Sequence, residues 1–146
     1  MSAVDLKEIQ KAVYVALNSA AMRTALNGAT ADPKIYDRVP TFQTPAFPYI
    51  TFGTPVFSAG HSMTSAIQEV LFQVDIWNRD TTSRAGKGKV YDIMKLITLQ
   101  LDRKRLTITG GINLYTQERT TTILDSGDGQ SWHGVQIFAI GVSASS

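Results

Sequence analysis

The chain has no cysteine among its 146 residues. That excludes disulfides, thiolate metal sites and cysteine nucleophiles, and it leaves the redox compartment undetermined. Histidine is scarce as well, with only His61 and His133. They form no H-x-H or H-x-x-x-H pair, so an imidazole metal site has no frame. Both read as surface or hydrogen-bonding residues. No G-x-S-x-G elbow offers a seryl nucleophile. No apolar run approaches the ~20 residues that a membrane helix needs. The N-terminus, M-S-A-V-D-L-K-E, lacks the basic start and apolar stretch of a secretory signal, so the expectation is synthesis in a cytoplasm with no membrane partner. Charge is sparse, at 18% of residues, and nearly balanced: 14 basic against 12 acidic side chains give a net +2. A dedicated nucleic-acid binder would carry a larger excess.

What the chain does have is a hydrophobic content of 43%, enough for one core in a single domain spanning 1–146. The pattern is clearest in E-V-L-F-Q-V-D-I-W-N-R, from Glu69 to Arg79. Val70, Phe72, Val74 and Ile76 alternate with Leu71, Gln73, Asp75 and Trp77, which predicts a central strand with one face in the core. Ahead of it, Leu6, Ile9, Val13, Leu17 and Ala20 recur at three- and four-residue steps and predict a helical segment from Val4 to Asn27. Asn18-Ser19 divides that segment, and Asn27-Gly28 stops it. Residues 29–47 carry Pro33, Pro40 and Pro45 and predict an irregular crossing. A short strand follows from Tyr49 to Phe52, with a continuation at Pro55 to Phe57, and Ser58 to Ile67 reads as a loop.

Beyond the central strand, Thr82-Ser83 looks like a cap for a helix from Arg84 to Leu101, with Val90, Ile93, Met94, Ile97 and Leu101 on its apolar stripe. Strands are expected at Leu106 to Thr109 and Ile112 to Thr122, separated by a bulge or turn at Gly110-Gly111. Asp125 to Gln130 is a turn signal, and a last strand runs from Gly134 to Val142. The expected fold is α+β, a mainly antiparallel sheet packed by two helices on one face.

Candidate chemistry is thin. Gly86-Lys87-Gly88-Lys89 lacks the phosphate-loop frame and falls at a helix start, where a solvated basic face is the plainer reading. Asp125 and Asp128 do not follow the calcium-loop order, and a hairpin turn accounts for them. Asp75 in the central strand reads as a solvent-face residue beside Gln73, or as a polar subunit contact. Trp77 shares that face and is either a partner anchor or a ring packed beneath a loop. No catalytic, cofactor or metal site emerges, and no enzyme is expected.

Several motifs in order resemble the tail-completion or tail-terminator family of long-tailed phages and phage-derived gene transfer particles. They are V-Y-V-A-L (Val13 to Leu17), A-L-N-G (Ala25 to Gly28), I-Y-D-R-V-P (Ile35 to Pro40) and F-P-Y-I-T-F-G (Phe47 to Gly53). F-Q-V-D-I-W-N-R (Phe72 to Arg79) and D-G-Q-S-W-H-G-V-Q-I-F (Asp128 to Phe138) complete the series. The resemblance implies a structural virion protein at the head-proximal end of a tail tube. It would act as a homo-oligomeric ring, typically hexameric, that ends tube polymerisation and meets head-completion or connector proteins. Its partners would be the tail tube protein, those connectors and, without sequence preference, passing DNA. No motif of the family assigns residues to these contacts. From the chain itself, the expected partner surface includes His61, Met63, Asp75, Trp77, Asp128 and Trp132. The basic residues that could face a DNA pore are Arg79, Arg84, Lys87 and Lys89. The alternatives are a head-completion or neck protein, and a small cytoplasmic ligand-binding or enzymatic α+β domain. The latter needs a concave site of convergent polar groups.

Overall fold

In the computed structural model, residues 4–38, 45–57, 67–81, 86–125, 127 and 130–144 are described. Along the chain they form α1 (Leu6–Leu17), α2 (Ala20–Leu26), β1 (Ile35–Tyr36), β2 (Tyr49–Phe52) and β3 (Val56–Phe57). Then come β4 (Ile67–Arg79), α3 (Lys87–Leu101), β5 (Gly111–Asp125) and β6 (Ser131–Ala144). The six strands make one sheet in the order β1-β2-β4-β6-β5, with β3 also paired to β4.

β4 sits in the middle because its sequence suits burial on both sides. Val70, Phe72, Val74 and Ile76 are each 0% exposed on the face that receives α3. Across the ladder Phe72 meets Phe138 of β6, and Val74 and Ile76 meet Phe52 and Ile50 of β2. The Phe52 and Phe72 rings pack edge to face with centroids 5.1 Å apart, a favoured aromatic arrangement. α3 adds Val90, Ile93, Met94, Ile97 and Leu101 to this core. It can lie close to the sheet because residue 134 is glycine: a Cβ there would sit 2.7 Å from a Val90 methyl and 3.2 Å from the Met94 sulfur.

α1 and α2 pack against α3. Asp5 caps α1 by accepting from the Lys7 N–H at 2.9 Å, and Ser19 caps α2 by accepting from Met22 at 3.1 Å. The division at Asn18-Ser19 is as expected. Ala20 is exposed, however, and the apolar stripe passes to Met22 and Leu26 of the second helix. Asn27 takes the left-handed conformation, and Gly28 donates to the Arg23 carbonyl at 2.8 Å, closing the helix.

Three expectations need correction. The crossing over residues 29–47 contains β1, which runs parallel to β2 and makes the sheet mixed. Among the described residues the divided first segment supplies two helices, and the helix expected from Arg84 starts at Lys87 with Gly86 as its N-cap; Thr82-Ser83 lies outside the described residues. Leu106 to Thr109 is not a strand. Leu106 donates its N–H to the Asn113 side chain at 2.8 Å, and Leu106 and Ile108 are buried at 8% and 6% exposure in the core. The segment packs through side chains and leaves no ladder to form. The turn expected at Gly110-Gly111 is present, with Gly110 at φ 79°, and the bulges of β5 fall later, at Asn113/Tyr115 and Glu118/Thr120. The final hairpin is as read, with Asp125 paired to Trp132 and Asp125 accepting from the Gly127 N–H.

Candidate functional site

The sheet face turned away from α3 holds alternate residues of four strands, and the register brings their polar groups together. Trp77 pairs with Tyr49 on one side and His133 on the other; Asp75 pairs with Thr51 and Val135. The Trp77 and His133 rings stack with centroids 3.8 Å apart and planes 10° from parallel. Tyr49 lies over the other flank of Trp77 at 6.5 Å. The indole N–H donates to Thr51 Oγ1 at 3.0 Å. Asp75 Oδ1 accepts from Gln73 at 2.8 Å and meets His133 Nε2 at 2.7 Å.

This cluster is closed upon itself. Asp75 is 7% exposed, so the solvent-face reading does not hold: its own strand and β6 cover it. Trp77 is held by rings and a hydrogen bond of its own chain. Among the described residues no group of three His, Asp or Glu side chains could hold a metal.

A second cluster lies along the same face, toward the other end of β4. Glu69, 8% exposed, receives the Tyr115 hydroxyl and faces Arg119 at 3.5 Å. Tyr115 lies flat across residue 141, which must be glycine because any Cβ there would enter the ring. Burial, reinforced by the bond to Glu69, pushes the Tyr115 phenol up to about 12. Burial also raises the Tyr49 phenol and lowers the Lys34 ammonium, the latter opposed by Asp32.

The remaining expected residues scatter. Trp132 has the opposite parity to His133 and faces the α3 side, where its indole N–H donates to Asp80 at 2.8 Å. Lys87 reaches over Trp132 at 5.3 Å and Tyr91 at 5.9 Å, a pair of cation–π contacts. Arg79 donates twice to the Gln130 side chain, at 3.1 and 2.6 Å. Arg79 and Lys89 share an open cleft of about 650 Å³ beside Asn78 and Gly86, at the start of α3. There Asn78 donates to the Gly86 carbonyl at 2.9 Å and Asp80 accepts the Gly86 N–H, so strand side chains fix the helix start. His61, Met63, Arg84 and Asp128 lie outside the described residues. The structure thus unites Asp75 with Trp77 and separates both from Trp132 and Lys87. His133, Thr51 and Tyr49, which complete the cluster, could be read in sequence only through strand register.

The family model described as tail completion protein gp17 matches residues 11–143. The chain belongs to that family. It is a structural protein of the virion tail. A chain in a solved structure titled as the virion of a native gene transfer agent particle has the same fold. The TM-score is 0.76 at 20% identity, over 93% of this chain and 95% of that one. No curated protein sequence matches.

Proposed function

We propose that this tail completion protein forms a closed ring at the head-proximal end of the tail tube, stops tube polymerisation there and offers a surface for head–tail joining. The observation that carries the reading is the family match across residues 11–143. The fold is compatible with it. A ring of identical subunits needs two different, complementary surfaces on each copy, and a sheet whose two outer sides differ can supply them. The partners are further copies, the tail tube protein and the head-completion or connector proteins. His61, Met63 and Asp128, with Trp132 and the rim around Asp75 and Trp77, are the proposed partner contacts. Arg79, Arg84, Lys87 and Lys89 are the proposed groups toward passing DNA, which they would meet through phosphate charge alone.

Light scattering of the purified protein over a range of concentration, with and without tail tubes, tests this. The expected result is a ring mass in solution or on tube addition, together with arrested tube growth. A protein that stays monomeric and leaves tube growth unchanged refutes it. A ring that ignores tubes but binds connectors moves the protein to the neck.

A further inference from the structure

The long edge strand β5 is treated differently along its two halves. From Asn113 to Glu118 the chain covers its own edge. The Thr116 carbonyl accepts from the Arg103 N–H at 2.7 Å, the Glu118 N–H donates to Asp102 Oδ1 at 2.9 Å, and Asn113 takes the Leu106 N–H. Two bulges distort the same half. From Thr120 to Asp125 the ladder to β6 is regular, and among the described residues nothing bonds the outer side of this segment. Natural edges are guarded by Lys, Pro, bulges or covering segments. The run T-T-T-I-L-D has none of these. Its residues are β-branched or apolar apart from Asp125, and Leu124 is 49% exposed.

An open edge of this kind specifies its occupant chemically. Alternate residues project N–H and C=O groups outward together, and only another extended strand satisfies them in series. The opposite side of the sheet carries the candidate complement. Among the described residues β3 pairs with β4 alone, and Val56 and Phe57 are 56% and 38% exposed. β1 fits less well, since Ile35 is 5% exposed and the Tyr36 hydroxyl is engaged by Asp32. β3 is two residues long, so its direct pairing covers about 7 Å of the roughly 20 Å of Thr120–Asp125, which alone falls short of the roughly 1,000 Å² of a stable interface. The flanks add area. Leu124 lies on one face, and Tyr91, 54% exposed, lies beside the hairpin on the other.

We infer that Thr120–Asp125 of β5 is the joint between subunits, and that its occupant is the β3 edge of a second copy. Because the two edges lie on opposite sides of one sheet, the contact is head-to-tail and propagates until rotation closes it. The inference rests on the ring reading and adds which strands make the ring.

The absence of cysteine makes the test clean. Thr122 and Val56 are both exposed, so T122C and V56C should fold. The double variant, assembled in solution or on tail tubes and treated with a short bismaleimide, is expected to give a ladder of covalent multimers ending at the ring mass. T122C alone is expected to give none. Dimers from T122C alone would mean a twofold β5–β5 contact and overturn the head-to-tail joint. Rings by mass without a ladder would overturn the joint and leave the ring reading standing; a monomer under every condition would remove both. Amide hydrogen exchange on the unmodified chain is an independent readout. Alternate amides in 120–125 should slow by about tenfold or more on assembly, and unchanged exchange in proven rings refutes the joint.

Discussion

Replacing Trp77 with alanine separates two roles that its sequence position left open. If the ring is part of the fold, the isolated protein must lose stability; if it is a partner anchor, only assembly suffers. The structure gives the magnitude. Two ring contacts, with His133 at 3.8 Å and Tyr49 at 6.5 Å, would be lost, each worth about 0.5–1.5 kcal/mol. The bond to Thr51 at 3.0 Å adds about 1 kcal/mol. Burial of the half-covered indole adds about 2 kcal/mol. These terms share atoms and are not additive. Truncation of a fully buried aromatic costs roughly 3–5 kcal/mol, so a half-buried one belongs at the lower end, about 3 kcal/mol. For a chain of this length that lowers the melting temperature by about 6–12 °C. Trp77→Phe, which keeps a ring and loses the donor, should recover about half. Thermal unfolding followed by far-UV circular dichroism reads this without relying on the removed fluorophore. A Trp77→Ala protein that melts within ~1 °C of the parent yet fails to assemble refutes the argument and restores the anchor.

Two further predictions concern packing and pH. Gly134→Ala places a Cβ 2.7 Å from the stiff Val90 side chain and should cost about 1–3 kcal/mol through overpacking. Adding Val90→Ala should relieve part of the cost in urea unfolding, and a strictly additive loss would show that the close approach of α3 is not what residue 134 provides. Tyr36 and Tyr115 both have phenols raised from 10.0 to about 12 by burial first and carboxylate hydrogen bonds second. Between those values the folded chain holds more protons than the unfolded one, so this stability is complete below pH 10 and is lost as pH rises through about 12. The urea midpoint should therefore fall across that window, and the double variant Tyr36→Phe/Tyr115→Phe should flatten the fall. An equal fall in the variant would assign it to other groups.

How much of this was legible in sequence varies with the kind of information required. β4 could be read because its alternation is local and unbroken: Val70, Phe72, Val74 and Ile76 are all fully buried. The division of the first helical segment was legible for the same reason, since Ser19 is a capping residue standing at a break in the stripe. β1 could not be read. It is two residues long, and it exists because Ile35 and Tyr36 meet Ile50 and Thr51 across the sheet, a relation no window of sequence contains. Leu106 to Thr109 misled because an apolar alternating run says which side chains are buried, not where the backbone finds its hydrogen bonds. Here an Asn113 side chain took the place of a neighbouring strand.

The candidate site shows the same limit more sharply, and it bears on function. Asp75 and Trp77 could be placed on one face from parity alone, but their meaning depended on what stood opposite them, and His133, Thr51 and Tyr49 are far away in sequence. Once those partners are in place, the polar centre of the face is hydrogen-bonded internally and has little left to offer a partner. Binding capacity then falls where groups remain unmatched. Among the described residues one such stretch is Thr120–Asp125, whose inner side pairs with β6 and whose outward backbone donors and acceptors stand in series with no partner. Side-chain identity is a poor guide to such a surface, since the recognition is carried by peptide groups that every sequence possesses. What distinguishes the run is the contrast with its own first half, where Asp102 and Arg103 cover the same strand. A chain that covers one half of an edge and leaves the other open has made the open half available for a strand from outside.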